Sequence, residues 1–315
     1  MAGDLVIREL WREDAPAVAR LELELVPDQV LTPELLWQRA SRKIEREQLR
    51  VWVAELDGEI AAYAHASFEW SVPTPGKGRF WIGVLPAARR RGIGTALYEE
   101  ALGHLRSHGA WRARTSVDDD PDGTRFLEQR GFERSKVDRV SALQLTRAGL
   151  PEPSVPEGFE VVPLGQARNR EHDLYEICVA GEIDMPGDEP ETELSFDDWR
   201  QDDYGSPALS DEGSFVAHAG GRAVSLAFLA VDPERRLAYN QMTATLPEFR
   251  RRGLALAVKL AAARWAAANG YERIVTENEA TNVAMLAVNE QMGYRPLYDQ
   301  VSFVVQWKRP PGERG

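Results

Sequence analysis

Two short stretches of this chain join three arginines and a glycine to the start of an apolar, helix-forming run. Residues 84–97 read VLPAARRRGIGTAL and residues 245–258 read TLPEFRRRGLALAV. The chemistry such a segment can do is anion binding. The first turn of a helix has N–H groups without intrahelical partners and a partial positive charge. A glycine at the entry lets the backbone come close to a bulky anion, and arginines add charge and forked donors. A diphosphate is the natural occupant. The candidate cradles are therefore Arg89, Arg90, Arg91, Gly92, Ile93, Gly94 and Thr95 in the first stretch. In the second they are Arg250, Arg251, Arg252, Gly253, Leu254, Ala255 and Leu256.

The spacing of these cradles implies a repeat. Pro247 and Gly253 follow Pro86 and Gly92 by 161 residues, and Gly293 in VNEQMGY follows Gly131 in FLEQRGF by 162. Both copies share one order of elements. In the first, an apolar strand LVIREL precedes two helical patterns, DAPAVARLELEL and TPELLWQRASRKIEREQL, the second with Thr32 as N-cap and Pro33 at its first position. Strands RVWVAEL and EIAAYAHASF flank Asp57-Gly58, a hairpin signal. The strand RFWIGVL runs into the cradle, its helix stops near Gly109, and a strand, a short helix and strands through LQL follow. The second copy repeats this, with Gly220-Gly221 as the hairpin turn, a helix from about Gly253 to Asn269, and a last strand QVSFVVQW. Three prolines and two glycines in TRAGLPEPSVPEG, 146–158, mark a linker. The expectation is an α/β (α+β) chain of two domains, each a mixed sheet flanked by helices: 1–146, a linker 147–157, 158–308, and a tail 309–315.

Composition narrows the function classes. The length of 315 residues suits two average domains. A net charge of -12 argues against nucleic acid, which needs a basic face. No apolar run approaches a membrane span, the N-terminus lacks a signal-peptide pattern, and the lone Cys178 fits a reducing compartment. A cytoplasmic protein without a membrane partner is expected, as a monomer or homodimer. The five histidines, His65, His104, His108, His172 and His218, are scattered, so no metal is expected.

Arg89-x-x-Gly92-x-Gly94 and Arg250-x-x-Gly253-x-Ala255 resemble the Q/R-x-x-G-x-G/A signature of GNAT acetyltransferases, and the region 276–294 is similar to that superfamily's fifth strand and fourth helix. The resemblance covers nearly the whole chain, twice. It implies acetyl-CoA as co-substrate, lying between a fourth and a fifth strand that splay apart. Its pantetheine arm would pair with the backbone near Ile82, Gly83 and Val84, or Thr243, Ala244 and Thr245, and its diphosphate would sit on the two cradles. It further implies direct transfer of acetyl to an amine, with a strand N–H polarising the thioester carbonyl. An asparagine of the family that contacts the cofactor matches Asn282, and its equivalent in the first copy is Asp120.

The family's usual tyrosine acid, four residues before the Gly-Phe, is Leu127 in one copy and Asn289 in the other. Tyr239, Tyr294 and Tyr298 are then alternative acids. Base candidates are Glu277 and Glu279 in the second copy and Asp118 and Asp119 in the first. Glu277, Asn289 and Tyr294 form the expected catalytic set, with the C-terminal copy as the active one. The stretch 182–204 holds ten carboxylates and one arginine. It reads either as a funnel for a cationic acceptor or as a solvated loop. The acceptor is expected to be a small-molecule amine or a peptide. Two other readings stay open: a non-catalytic CoA-binding or sensing protein, supported by the missing tyrosines, and an aminoacyl transferase of the Fem type.

Overall fold

A computed structural model describes residues 4–118, 120–145, 149–185 and 194–308. The chain forms two compact units: Val137–Asp299 is one, and the residues before 137 together with those from 300 onward form the other.

The first unit contains β1 (Leu5–Glu9), α1 (Ala15–Leu25), α2 (Pro33–Ser41), β2 (Arg50–Leu56), β3 (Glu59–Phe68), β4 (Lys77–Val84), α3 (Ile93–Ser107), β5 (Arg112–Asp118), α4 (Pro121–Glu128) and the start of β6 (Glu133–Gln144). Thr32 caps α2 as expected: its Oγ1 accepts from the Leu35 N–H at 3.2 Å, a contact worth about 1 kcal/mol. The helix ends at Ser41, short of the residue 49 that its pattern suggested. Arg42 turns extended, and its Nε donates to Glu47 at 2.7 Å. Glu47 is fully buried, so pairing with its neighbours outweighs continuing the helix. Asp57 and Gly58 both have positive φ, the turn that matches strand twist in a two-residue hairpin. The apolar stripe Ile93, Leu97, Ala101, Leu102 and Leu105 packs α3 against the sheet.

The second unit contains β7 (Phe159–Pro163), α5 (Leu164–Ala167), α6 (Glu171–Ile183), α7 (Phe196–Trp199), β8 (Phe215–Ala219), β9 (Arg222–Asp232), β10 (Leu237–Thr245), α8 (Leu254–Ala268), β11 (Arg273–Glu279), α9 (Val283–Met292) and the start of β12 (Arg295–Gln306). Gly220 and Gly221 also both have positive φ. Trp199, Leu226, Leu229 and Leu254 are among its largest fully buried side chains.

The last strand of each sheet comes from the other repeat. Residues 300–306 of β12 pair antiparallel with β5, completing the sheet β1-β2-β3-β4-β5-β12 of the first unit. Residues 138–144 of β6 pair antiparallel with β11, in the order β6-β11-β10-β9-β8-β7. The repeat seen in sequence counts 137–144 with the first copy and 300–306 with the second; the strand ladders divide the chain differently. No helix among the described residues is long and apolar enough to cross a membrane.

Among the described residues, each sheet is antiparallel except at one place. β4 and β5 run parallel and pair at Lys77–Arg79 with Arg112–Arg114. β10 and β11 do the same at Leu237–Tyr239 with Arg273–Val275. Beyond these three-residue ladders the strands part, and each opening leads to a helix that starts at an arginine-glycine loop.

Candidate functional site

The two loops adopt one conformation. Arg90 and Gly92 have φ of 64° and 83°, and Arg251 and Gly253 have 59° and 80°. Left-handed residues alternating with ordinary ones turn successive N–H groups to one side, which makes an anion-binding concavity. Both glycines are exposed, and neither is replaced by a side-chain cap: the starts of α3 and α8 make no side-chain N-cap hydrogen bond. The N–H groups at Ile93, Gly94 and Thr95, and at Leu254, Ala255 and Leu256, belong to the helix starts that lack such a cap. A Cβ at Gly92 or Gly253 would meet nothing within 4 Å, so the glycines answer to φ and to approach from outside.

Arg89, Arg90 and Arg250 are tethered rather than free. Arg89 Nε donates to the Val84 carbonyl at 3.2 Å, and Arg250 Nε to the Thr245 carbonyl at 2.9 Å. These matching bonds tie each loop back to its strand. Arg90 pairs with Asp122 at 2.7 Å and Arg89 with Asp120 at 3.7 Å; Arg250 pairs with Asp184. Asp120, the counterpart of Asn282, caps α4 by accepting from the Asp122 N–H at 3.0 Å. Asn282 caps α9 by accepting from the Met285 N–H at 3.2 Å. Their shared local task is helix capping, and Arg89 offsets the charge of Asp120.

In the first unit a cleft of about 730 Å³ opens between the parted strands. Ile82, Gly83 and Val84 form one wall, Ser116 to Asp118 the other, and the loop residues Arg89 and Gly92 to Thr95 the end. Trp81 lines it too and stacks with His65, 6.3 Å away. Asp118 sits on the wall; burial raises its pKa, while the Gln300 amide, donating at 2.8 Å, opposes that. Asp119 lies outside the described residues, as do 186–193 of the acidic stretch, 147–148 of the linker and the tail.

The second unit differs in its strand. β10 carries a bulge between Asn240 and Met242, whereas the β3–β4 ladder runs unshifted from Phe68/Gly78 to Ala62/Val84. A bulge re-aims backbone groups. Leu246 N donates to Val224 O in β9. By strand alternation the N–H groups of Thr243 and Thr245 face the opposite, parted side, while those of Ala244 face β9. Glu277 is exposed on β11. Glu279 Oε1 accepts from the Thr281 hydroxyl at 2.8 Å. Asn289 is buried and donates to Asn278 Oδ1 at 2.7 Å, with its own Oδ1 unpartnered. Tyr294 is buried, which raises its phenol pKa. Tyr239 and Tyr298 are half-buried on β10 and β12. Leu127 in the first unit is buried core.

Sequence reasoning missed Lys259 and Asn240, which meet at the point where β10 and β11 part. The available signal was a lysine inside the otherwise apolar run LALAVKLAAA.

The sequence matches the Acetyltransferase (GNAT) family over residues 6–132 and again over 172–294. It is 26% identical over 243 residues to a mycothiol acetyltransferase from Saccharomonospora viridis, covering 70% of this chain and 72% of that protein. Its fold is similar to a tandem GNAT protein from the clavulanic acid biosynthesis pathway, with a TM-score of 0.74 at 19% identity over 98% of this chain and 100% of the other. It is also similar to a GCN5-related N-acetyltransferase from Sphaerobacter thermophilus, with a TM-score of 0.70 at 19% identity over 96% and 95%. The chain belongs to the GNAT acetyltransferase family, whose domain it carries twice.

Proposed function

We propose that this protein is an acetyl-CoA-dependent N-acetyltransferase and that its C-terminal unit carries the chemistry. The observation that carries this reading is the conjunction, in that unit, of an uncapped helix start at Gly253 with a bulged strand where the sheet opens. The residues present fit acetyl-CoA. Uncapped N–H groups at 254–256 and the flanking arginines suit a diphosphate. The edge of β10 at Thr243 and Thr245 offers backbone groups to an amide-bearing arm. When bound, acetyl-CoA supplies the acetyl group as a thioester.

The chain's own residues then have separable tasks. The loop fixes the diphosphate, and the strand edge holds the arm. The Thr243 N–H stabilises charge developing on a carbonyl oxygen. Glu277, on β11 across the opening, is the candidate to take the proton from the incoming amine. Asn289 and Tyr294 are the candidate polar groups near the leaving sulfur. Much of the rate in such a transfer comes from positioning. The acceptor is a primary amine, as a small molecule or at a peptide, and the carboxylates of 182–204 favour a cationic one.

The test is amine-dependent release of free CoA thiol from acetyl-CoA across a panel of small amines and peptides. Release with at least one amine supports the proposal. A second reading, CoA binding without turnover, is favoured by Leu127 and Asn289 standing where the family has a tyrosine. Acetyl-CoA binding with no release by any amine selects that reading. Retention on a polyanion resin would favour the Fem-type alternative.

A further inference from the structure

The two copies diverge at the crotch where their parallel strands part. In the first unit it is filled by three rings. Phe80 lies 5.8 Å from Phe132 and 6.1 Å from Tyr98, and Tyr98 lies 6.3 Å from Phe132, all edge-to-face. The equivalent positions of the second unit are Asn240, Lys259 and Tyr294, at offsets of 160, 161 and 162 residues. The smaller offset of Asn240 reflects the extra residue of the bulge, which follows it.

Asn240 holds the bulge from inside. Its Nδ2 donates to the Phe228 carbonyl of β9 at 3.1 Å and to the Met242 carbonyl at 2.9 Å. Its Oδ1 accepts from Thr243 Oγ1 at 3.0 Å and from Lys259 Nζ at 2.5 Å. Its own carbonyl accepts from Thr276 Oγ1 at 3.2 Å, a side-chain bond that continues the link to β11 where the ladder ends. The peptide joining Met242 to Thr243 is thus gripped by its carbonyl on the β9 side. In a trans peptide the N–H points the other way, so the Thr243 N–H is aimed into the opening.

Lys259 is expensive to keep in this place. It is 3% exposed, its ring neighbour is Tyr294 at 5.1 Å, and burial lowers its pKa to about 7. Among the described residues no carboxylate offsets that burial, and Tyr294 is itself held protonated by burial. An apolar or aromatic residue fills the same space more cheaply, as Tyr98 does in the first copy. A strongly perturbed buried group, bonded to Asn240 where the strands part, is a candidate functional position.

We propose that Lys259 is a positioning residue for the thioester: by fixing the Asn240 amide it locks the β10 bulge so that the Thr243 N–H meets the thioester carbonyl oxygen. This rests on acetyl-CoA binding to the C-terminal unit. It makes the polar crotch the feature that separates an acetyl-polarising copy from one that only holds the carrier.

The test compares binding of acetyl-CoA with that of S-ethyl-CoA, a thioether without the carbonyl. Calorimetry is done on the full chain carrying Gly92→Asp, so that only the C-terminal loop is occupied. This parent should prefer acetyl-CoA roughly fivefold, the worth of one net hydrogen bond. Lys259→Met should abolish the preference while leaving the S-ethyl-CoA affinity unchanged. Lys259→Gln, which keeps an N–H for Asn240, should retain it. A preference that survives Lys259→Met, or an equal loss for both ligands, overturns the proposal. Should Lys259→Met not fold, the infrared carbonyl band of bound carbon-13-labelled acetyl-CoA decides in the parent chain. A shift to lower frequency is expected, and an unshifted band overturns the proposal. If neither ligand binds the parent, the acetyl-CoA reading of this unit itself fails.

Discussion

Removing the buried amine of Lys259 has a thermodynamic signature that needs no substrate. The ordinary lysine pKa of 10.5 is lowered to about 7 in the fold, by burial alone. A base with a lowered pKa folds best when neutral. Below pH 7 both the folded and the unfolded chain hold the proton, and its penalty is constant. Between pH 7 and 10.5 the unfolded chain binds more protons, so stability rises with pH. At about 1.4 kcal/mol per pH unit for one proton, the gain from pH 7.0 to 8.5 comes to about 1.5 kcal/mol, allowing for half-protonation at the lower end. That corresponds to roughly 3–6 °C in the melting temperature of a domain this size. The window stops at 8.5 because the buried Cys178 thiol, whose pKa burial raises, acts in the opposite sense above its ordinary value of 9.0. Urea unfolding at the two pH values, on the full chain and on Lys259→Met, measures the difference. The unsubstituted chain should gain about 1.5 kcal/mol more than the variant over this interval. An equal gain in both, or none in either, refutes the burial argument.

Other outcomes follow from the same geometry. Glu277→Gln should lower kcat roughly a hundredfold or more without weakening acetyl-CoA binding, as expected for a general base. Asp118→Asn should leave turnover unchanged; a larger loss there than at Glu277 would move the chemistry to the N-terminal unit. Replacing Asp197, Asp198, Asp202 and Asp203 together with amides should raise the KM of a cationic acceptor severalfold with little change in kcat. An unchanged KM would dispose of the funnel. Thr32→Ala should reduce stability by about 1 kcal/mol through loss of the α2 cap and leave cofactor binding alone.

Much of this was legible in the sequence because local chemistry dictates it. Asp57-Gly58 and Gly220-Gly221 must turn with positive φ, and they do. The arginine-glycine loops announced two helix starts, and a cap at Thr32 needed only its neighbours. What escaped depends on partners far along the chain. The strand patterns of 133–144 and 295–306 look alike, and alternation shows which face is buried but not which strand lies beside it. Hence residues 137–144 and 300–306 could not be assigned to their sheets beforehand. The early end of α2 is set by burial of Glu47 between Arg42 and Arg79, contacts that span up to 32 residues. Lys259 escaped because one lysine on an apolar helix reads as a snorkelling side chain. Only the fold brings it to Asn240.

Acetyl-CoA binding rests on the two helix starts as diphosphate cradles, and counting sites tests this most directly. Native mass spectrometry with acetyl-CoA is the measurement, on the unsubstituted chain, Gly92→Asp, Gly253→Asp and the double variant. A Cβ at either glycine meets open space, so each change costs only the left-handed φ, on the order of 1–2 kcal/mol, and the fold survives. The introduced carboxylate caps the free N–H groups and repels the anion. Two bound molecules are predicted for the unsubstituted chain, one for each single variant and none for the double. Binding that persists in the double variant, or no binding to the unsubstituted chain, contradicts the account.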